Sequence, residues 1–417
     1  MSGRMEAIGA LTLLMLLAAP RSPAEAADAP AISVRDIEKS VHKLIDEGRY
    51  AEALAAIAKT KESGVFAGSA ALQYAQRNLS VFISGTQNSY YHEKFETTCG
   101  DEKAVSAKLT RGTHLKDAIS EILVRAKHTR IVILNEDHYN PRNRYFGLKL
   151  AKALRPLGYS VLAVEALTNY DSIDLYKAQM ERLAQDGFVR LGSGLLTAEP
   201  VFADFLRQSM KIGYRPLAYE ALTSRTIDLR EAEQARLLFD RVIATHPDDK
   251  FLIYVGFSHA AEQPVPDTRG APHLWMAGRL KALTQIDPLT IDQTTNPYRC
   301  SVPAKSRHVD DYIAINSKGP VVEGKYANSV NLQISYSLAD TSDGRPDWLI
   351  KMGRRKRKIP VAASLTSGFH VVQAFSANEP NDAVPLDQFS LEIGKSALPA
   401  SISAMVHQVP VRIVVSP

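Results

Sequence analysis

The sequence has little of several features that would each define a class of protein. It has 2 cysteines among 417 residues, too few for a small scaffold held together by disulfides. Beyond its N-terminal stretch, no segment approaches the roughly 20 apolar residues that a membrane-spanning helix needs. Lys and Arg exceed Asp and Glu only by 50 to 45, and the excess is dispersed, so we expect no nucleic-acid partner. What remains is a globular chain long enough for a sizeable core.

The first residues have the pattern of a secretory signal peptide. Arg4 precedes a short apolar stretch, and residues 24–26 offer the small-x-small pattern of a cleavage site. We therefore expect residues 1–26 to be removed on export, which places a mature chain without a transmembrane segment in the periplasm. In that oxidising compartment Cys99 and Cys300 are candidates for a disulfide, and two unpaired thiols are the alternative.

Changes in hydrophobic period divide the remaining chain into three parts. Residues 27–112 carry apolar side chains at helical spacing and predict a helical cap. Residues 113–295 alternate strand-like runs with amphipathic helices, which is typical of a parallel sheet flanked by helices. Residues 296–417 change to a period of two and predict an antiparallel β-rich region. We therefore expect an α/β fold with a central, mostly parallel sheet between these two regions.

Two segments need separate interpretation. The stretch between Glu165 and Glu220 is longer than the other connections, and we expect a long surface loop there, with a lid over a pocket as the alternative. The basic run at residues 354–358 predicts a solvated hairpin turn, and binding of an anionic lipid or cell-wall polymer is the alternative.

Four hydrophobic runs in the central part each end in a glutamate or a histidine. In a parallel sheet all strands point the same way, so the residues that follow them collect at one edge, where open α/β sheets place their sites. The runs are residues 131–134, 160–164, 216–219 and 251–255, and the side chains that follow are Glu136, His138, Glu165, Glu220 and His259. One such ending is expected by chance, whereas four predict a pocket.

These groups suit the activation of a water molecule. Glu136 and His138 share a face of an extended strand, and a carboxylate beside an imidazole is a common general base. Carboxylates gathered in a cleft need a proton or a cation between them. A divalent metal is one candidate, and its ligands would be Glu136, His138, Glu165 and His259. Water activation without a metal fits the same residues.

Arg144 and Arg230 are the candidates for balancing the negative charge. Arg144 lies one turn into the helix after His138, and Arg230 opens the helix after Glu220. Either guanidinium can hold a carboxylate in place or bind a developing oxyanion. We therefore assign both arginines to the site.

The order and spacing of these motifs resemble the superfamily that joins erythromycin esterases, ChaN-like haem-binding lipoproteins and Tiki/TraB proteases. The resemblance covers about residues 113–295 and is carried by Asn135-Glu-Asp-His138, Pro141, Arg144, Glu165, Tyr219-Glu220, Arg230-Glu231, Gln234-Ala235 and Gly256-x-x-His259. It implies that the functional residues are Glu136, His138, Glu165, Glu220 and His259. Asn135 replaces the usual glycine of the first motif, and the Glu-x-His spacing is closer to the ChaN-like members.

The residues and the resemblance together predict an exported hydrolase. A water activated by His138 or His259 would attack an ester, lactone or amide in a small molecule or peptide. The alternative is a periplasmic protein that binds haem or a metal through the same residues, although the lack of a lipid-anchor cysteine counts against the haem-uptake members. A third interpretation is a scaffold that binds a partner protein. The sequence leaves the oligomeric state open.

Overall fold

The computed structural model describes most of the chain after residue 33. The described residues are 34–83, 108–194, 196–223, 225–302, 309–337, 341–342, 345–360, 365, 367–393 and 401–416. The expected signal peptide and Cys99 lie outside them, so export and the pairing of Cys99 with Cys300 remain predictions. No helix within these ranges combines the length and apolar character needed to cross a bilayer.

The fold is organised around a mostly parallel sheet, as the alternating runs predict. The strands in the first part of the chain are β1 (His114–Asp117), β2 (Ile131–Glu136), β3 (Tyr159–Val164), β4 (Arg215–Ala218), β5 (Lys250–Gly256), β6 (Val265–Pro266), β7 (Pro272–His273), β8 (Leu289–Asp292), β9 (Asp311–Asn316), β10 (Gly319–Pro320) and β11 (Leu332–Tyr336). The sheet has the order β1-β9-β11-β8-β2-β5-β3-β4, with β10 beside β9 and with β6 and β7 paired separately.

Parallel pairing runs from β11 through β8, β2, β5 and β3 to β4, whereas β9 is antiparallel to its neighbours β1, β10 and β11. The four predicted strand endings therefore belong to adjacent strands β2, β5, β3 and β4, whose carboxyl ends share one edge. The sheet also continues past residue 295, because β9 and β11 extend it on the far side of β8.

Helices flank this sheet. They are α1 (Val34–Asp46), α2 (Tyr50–Glu62), α3 (Ala70–Phe82), α4 (Ala118–Ala126), α5 (Arg142–Leu154), α6 (Ile173–Asp186), α7 (Pro200–Lys211), α8 (Ile227–Leu238), α9 (Met276–Thr284) and α10 (Trp348–Lys351). Shorter helical turns lie at Arg155–Leu157, Leu191–Ser193, Leu196–Ala198, Phe239–Ile243, Phe257–Ala260 and Gly324–Tyr326. Every residue of β2 is buried, which explains its near-continuous aliphatic sequence.

The stretch between β3 and β4 is helical, so the expectation of a long surface loop is wrong. The Ser172 side chain accepts a hydrogen bond from a backbone N–H at the start of α6, and Gly187 ends that helix in the left-handed region, with a φ of 68°. Glu199 caps α7 in the same manner as Ser172, and Pro200 occupies the first turn. Ser172, Gly187, Glu199 and Pro200 are thus ordinary helix start and stop signals. The several glycines of the same stretch suggest a loop instead.

The last part of the chain forms antiparallel sheets, as the period of two predicts. Its strands are β12 (Thr341–Ser342), β13 (Arg345–Pro346), β14 (Arg355–Pro360), β15 (Gly368–Ser376), β16 (Asp387–Ile393), β17 (Ser401–Val406) and β18 (Val411–Ser416). β15 lies between β16 and β18, β14 pairs with β17, and β12 pairs with β13. The N-terminal helices pack here, where the Gln388 side chain donates a 2.8 Å hydrogen bond to the Phe82 carbonyl.

The basic run is part of a strand, which corrects the expected hairpin turn. Residues 355–360 form β14 and pair in register with β17, so the side chains from Arg355 to Lys358 are presented to solvent along an extended backbone. Arg354, the first residue of the run, is buried and bonded to Asp204 of α7. One run of like charges therefore contains an internal arginine followed by four exposed cations.

Candidate functional site

The shared sheet edge brings the predicted side chains into two adjoining groups. The Glu136 cluster follows β2 and contains Glu136, His138 and Arg144. The Glu165 cluster follows β3, β4 and β5 and contains Glu165, Glu220, Arg230 and His259. All seven side chains predicted for the site therefore lie at this edge.

Glu136 is the centre of the first cluster. It is 1% exposed, and the Nδ1 atom of His138 lies 2.8 Å from its Oε1 atom. Its other oxygen accepts hydrogen bonds from Arg144 Nε and from the Tyr254 hydroxyl, both at 2.9 Å. Burial raises the pKa of Glu136, but the charges of Arg144 and His138 outweigh it and lower the pKa below its ordinary value. Because an ionised carboxylate only accepts hydrogen bonds, Nδ1 of His138 carries a proton, and Nε2 is the ring nitrogen that points away from Glu136.

Arg144 connects this cluster to α7. Its side chain is fully buried, and its Nη1 atom donates a 2.9 Å hydrogen bond to Glu199, the residue that caps α7. Its Nη2 atom donates to the carbonyl of His138 at 2.9 Å. The Arg144 guanidinium therefore holds the Glu136 carboxylate, which orients the His138 ring, and also holds the backbone of His138.

The imidazole of His138 lies against Gly256, where the two clusters meet. A Cβ atom at Gly256 would stand 2.6 Å from His138 Nε2 and 3.3 Å from Glu165 Oε2. The ring also makes an edge contact with Phe257, at 4.9 Å between centroids. With 27% of its side chain exposed, His138 is reachable by solvent and presents Nε2 toward the Glu165 cluster.

Replacing Gly256 with alanine is expected to lower activity by about 10-fold to 100-fold, because the new methyl group takes the position of the His138 ring and breaks its bond to Glu136. The melting temperature should change little, since the displaced ring lies near solvent. The matched control is Gly192→Ala, where no atom lies within 4 Å of the added carbon. Equal effects of the two changes on turnover would contradict this placement of His138.

In the second cluster, Arg230 joins two carboxylates. Its Nη2 atom lies 2.6 Å from both Glu165 Oε1 and Glu220 Oε2, and its Nε atom donates to Glu220 at 2.9 Å. The Gln234 side chain bridges the same pair, at 3.4 Å and 3.0 Å. The backbone N–H of Gly256 donates to Glu165 at 2.5 Å. A guanidinium therefore supplies the positive charge that the neighbouring carboxylates require.

His259 is held between two carboxylates. Its Nε2 atom lies 3.2 Å from Glu165, and its Nδ1 atom lies 2.7 Å from Glu231, whose carboxylate also accepts the backbone N–H of Met276 at 2.9 Å. Burial and the nearby Arg230 lower the pKa of His259, but Glu165 and Glu231 outweigh both and raise it. The raised pKa favours the protonated form of His259, whose Nε2 atom also lies 3.1 Å from Arg230 Nη1.

The pair formed by Glu165 and His259 should make stability depend on pH. Burial raises the pKa of Glu165, but the charges of His259 and Arg230 lower it to about 2. The stability from ionised Glu165 is present above its ordinary pKa of 4.5 and is lost as the pH falls toward 2. The stability from protonated His259 is present below its ordinary pKa of 6.5 and is lost as the pH rises through the raised value.

We therefore expect the difference in melting temperature between the wild type and Glu165→Gln to be largest between pH 4.5 and 6.5 and to shrink on both sides. Thermal unfolding of both proteins from pH 3 to pH 9 measures it. A difference that stays constant over this range would show that the two groups are not coupled.

The residues present do not fit the divalent metal considered from the sequence. Within the described part of the chain, no three His, Cys, Asp or Glu side chains come together as a metal site. Arg144 and Arg230 already donate to the carboxylate oxygens that a cation would use. We derive no step through a metal, and haem as a ligand remains a prediction.

Several residues of the site were not assigned to it from the sequence. Tyr254 looks like one more apolar residue of a buried strand, and Glu199 looks like a helix cap only. Glu231 and Gln234 belong to the motif that carries the resemblance, which is the signal that marks them. Phe257 has a φ of 36°, rare for a residue with a side chain, and such strain often marks a functional site.

A cavity of about 370 Å³ adjoins the Glu165 cluster. Glu165 and Glu220 lie in its wall, together with the loops that follow β3 and β4 and the turn at Gly194. Its apolar wall is formed by Leu167, Leu196 and Leu222. A small ligand with an apolar part can therefore lie beside the charged groups, as in most small-molecule sites.

Neither a protein-family profile nor a curated protein sequence matches the chain. Among solved structures it is similar to RRSP, a MARTX toxin effector domain from Vibrio vulnificus CMCP6, with 16% identity and a TM-score of 0.33 over 63% of this chain and 56% of that one. The chain thus spans little more than half of that effector. It is also similar to ChaN of Campylobacter jejuni, described with cofacial haem binding, at 9% identity and a TM-score of 0.31 over 55% of this chain and 99% of ChaN.

A third similar structure is the C-terminal region of Pasteurella multocida toxin, described as having a thiol-protease-like catalytic triad. The identity is 11% and the TM-score 0.31, over 66% of this chain and 34% of that one. At these identities and TM-scores the likenesses assign no family and no function to this chain. The class that the fold and the site define is an α/β protein with a glutamate, histidine and arginine cluster at the carboxyl ends of its parallel strands.

Proposed function

We propose that the protein is a hydrolase in which His138 takes a proton from the attacking water. The observation that carries this proposal is the bond from His138 Nδ1 to the buried, ionised Glu136, which leaves Nε2 facing the Glu165 cluster. A buried carboxylate that holds one ring nitrogen sets the tautomer and strengthens the other nitrogen as a base. Arg144 and Tyr254 hold that carboxylate in turn.

Arg230 and His259 of the Glu165 cluster supply positive charge near Gly256, where this cluster meets the His138 ring. The water oxygen attacks the carbonyl carbon of an ester, lactone or amide while its proton moves to His138 Nε2. Arg230, with 36% of its side chain exposed, and the protonated His259 stabilise the negative charge that develops on the carbonyl oxygen. The bond to the leaving group then breaks, and the leaving oxygen or nitrogen receives the proton from His138.

The neighbouring cavity supports a small-molecule or peptide substrate with an apolar group. Its walls combine Leu167, Leu196 and Leu222 with the carboxylates of Glu165 and Glu220. We also propose that the protein acts in the periplasm, on the strength of the N-terminal signal pattern.

The test is a screen of esters, lactones and short peptides with purified protein treated with a chelator, and a haem titration of the same preparation. The proposal expects hydrolysis that survives chelation. Stoichiometric haem uptake with a Soret band and no hydrolysis would overturn it in favour of a haem-binding protein that uses the same residues. Hydrolysis that depends on added metal would contradict water activation by His138 alone.

A further inference from the structure

The start of α7 is part of the support of the Glu136 cluster. Glu199 is fully buried, and its two oxygens accept hydrogen bonds from the backbone N–H groups of Val201 and Phe202 at 2.8 Å and 2.7 Å. One of these oxygens also accepts the 2.9 Å bond from Arg144. Glu199 therefore cannot shift without uncapping α7 and moving Arg144.

The two carboxylates that share Arg144 differ in the direction of their pKa shifts. Burial raises the pKa of Glu199, and the single bond from Arg144 does not reverse it. Glu136 has a forked contact with Arg144 as well as the bond to His138, and its pKa is lowered. Arg144 is thus the charge that both carboxylates need, and its position is fixed from two sides.

Residues of the C-terminal β-rich region bind the first turns of α7, just after Glu199. Asp204, 1% exposed, accepts hydrogen bonds from Arg354 Nε at 3.0 Å and from His407 Nε2 at 2.8 Å. Arg354 also donates to the carbonyl of Pro200 at 3.0 Å. Burial raises the pKa of Asp204, but the charges of Arg354 and His407 lower it well below its usual range.

We infer that the C-terminal β-rich region positions His138 through α7. The connection runs from Arg354 to Asp204 and Pro200, along α7 to Glu199, and from there through Arg144 to Glu136. Arg354 and Glu199 are thus positioning residues, since neither touches the cavity or His138. The catalytic consequence rests on the proposed function, whereas the effect on His138 does not.

Buried ion pairs are suited to positioning other residues, because each buried charge must keep its partner at hydrogen-bond distance. Removing one partner leaves an uncompensated charge inside the protein, so the pairs have few alternative arrangements. Arg354 shows the distinction within a single sequence run, because the next residue, Arg355, is exposed on β14. The basic run therefore contains a matched pair of arginines. Arg354 belongs to the series of contacts that leads to His138, and Arg355 does not.

The experiment compares Arg354→Gln with Arg355→Gln. The first readout is the ring ¹⁵N NMR spectrum of histidine-labelled protein, with the His138 signals assigned by their loss in His138→Asn, since these shifts report which ring nitrogen carries the proton. Arg354→Gln should change the His138 signals and lower kcat by about 10-fold to 100-fold with KM within about 2-fold. Arg355→Gln should change neither.

A second variant keeps the test decisive if Arg354→Gln does not fold. The double change Arg354→Met with Asp204→Leu removes both charges of the pair together, which a protein core often accepts. It should fold and show the same change in the His138 signals. Unchanged His138 signals in a folded variant would overturn the inference.

The outcomes separate this inference from the proposed function. Changed His138 signals in a protein that hydrolyses none of the tested substrates would support the connection and count against the hydrolase. Unchanged signals and kcat in a variant of an active enzyme would leave the hydrolase and overturn the connection.

Discussion

Replacing His138 with asparagine is expected to lower kcat by roughly 10²-fold to 10⁴-fold, the range that a positioned general base contributes. The side chain is partly exposed and is hydrogen-bonded to Glu136, and Arg144 and Tyr254 still hold that carboxylate after the change. The free energy of unfolding should therefore fall by only about 1–2 kcal/mol. Steady-state kinetics and urea unfolding measure the two effects separately.

The control for this change is His128→Asn. His128 is exposed in the turn between α4 and the amino end of β2, whereas both clusters lie at the carboxyl ends of the strands. It should leave kcat and stability unchanged. A His138→Asn protein that keeps more than about a tenth of the wild-type kcat would rule out His138 as the general base, since the contribution would then lie below the 10²-fold expected.

Replacing Arg144 with methionine is expected to destabilise the protein by about 3–5 kcal/mol, because the change leaves two buried carboxylates without their shared cation. Glu136 and Glu199 are 1% and 0% exposed, so water cannot take the place of the guanidinium. Urea unfolding at neutral pH gives the size of the effect. The loss should become smaller at pH 4, where the two carboxyl groups can take up protons at lower cost.

Arg236→Met provides the matched comparison. Arg236 also pairs with a carboxylate, Asp240 at 3.6 Å, but 69% of its side chain is exposed. An exposed pair of this kind contributes at most about 1 kcal/mol. If Arg144→Met cost no more than Arg236→Met, the buried arrangement around Arg144 would be wrong.

The two arginines of the site differ in their surroundings. Arg144 is internal and holds the carboxylate bonded to His138, whereas Arg230 is partly exposed, as its proposed contact with a substrate requires. The sequence proposed both roles for both residues without dividing them. Burial decides the division, because only a partly exposed cation can meet a ligand.

The sequence also left open which histidine is the base. His138 and His259 each follow a buried strand, and both are candidates on chemical grounds. The structure places one carboxylate, Glu136, against His138 and two, Glu165 and Glu231, against His259. Two carboxylates raise the pKa of His259 and so favour its protonated form, which suits the charge-stabilising role proposed for it and assigns the role of base to His138 in that proposal.

The sequence by itself determined the central α/β architecture and the edge where the site lies. A hydrophobic period of two or 3.6 is set by local backbone geometry, and strand direction in a parallel sheet follows from the intervening helices. For the same reason the sequence pattern alone places the endings of β2, β3, β4 and β5 together. The helices between β3 and β4 were missed because their glycines suggest a loop more strongly than their caps suggest a helix.

Only the tertiary structure decided which acidic side chain pairs with which basic side chain. Arg144 and Glu199 are 55 residues apart, and Arg354 and Asp204 are 150 residues apart, so no local pattern marks either pair. Ion pairing depends on distances of a few ångströms between side chains that the whole fold brings together. That is why the basic run at residues 354–358 predicts a solvated turn, although its first arginine lies inside the protein and is bonded to Asp204.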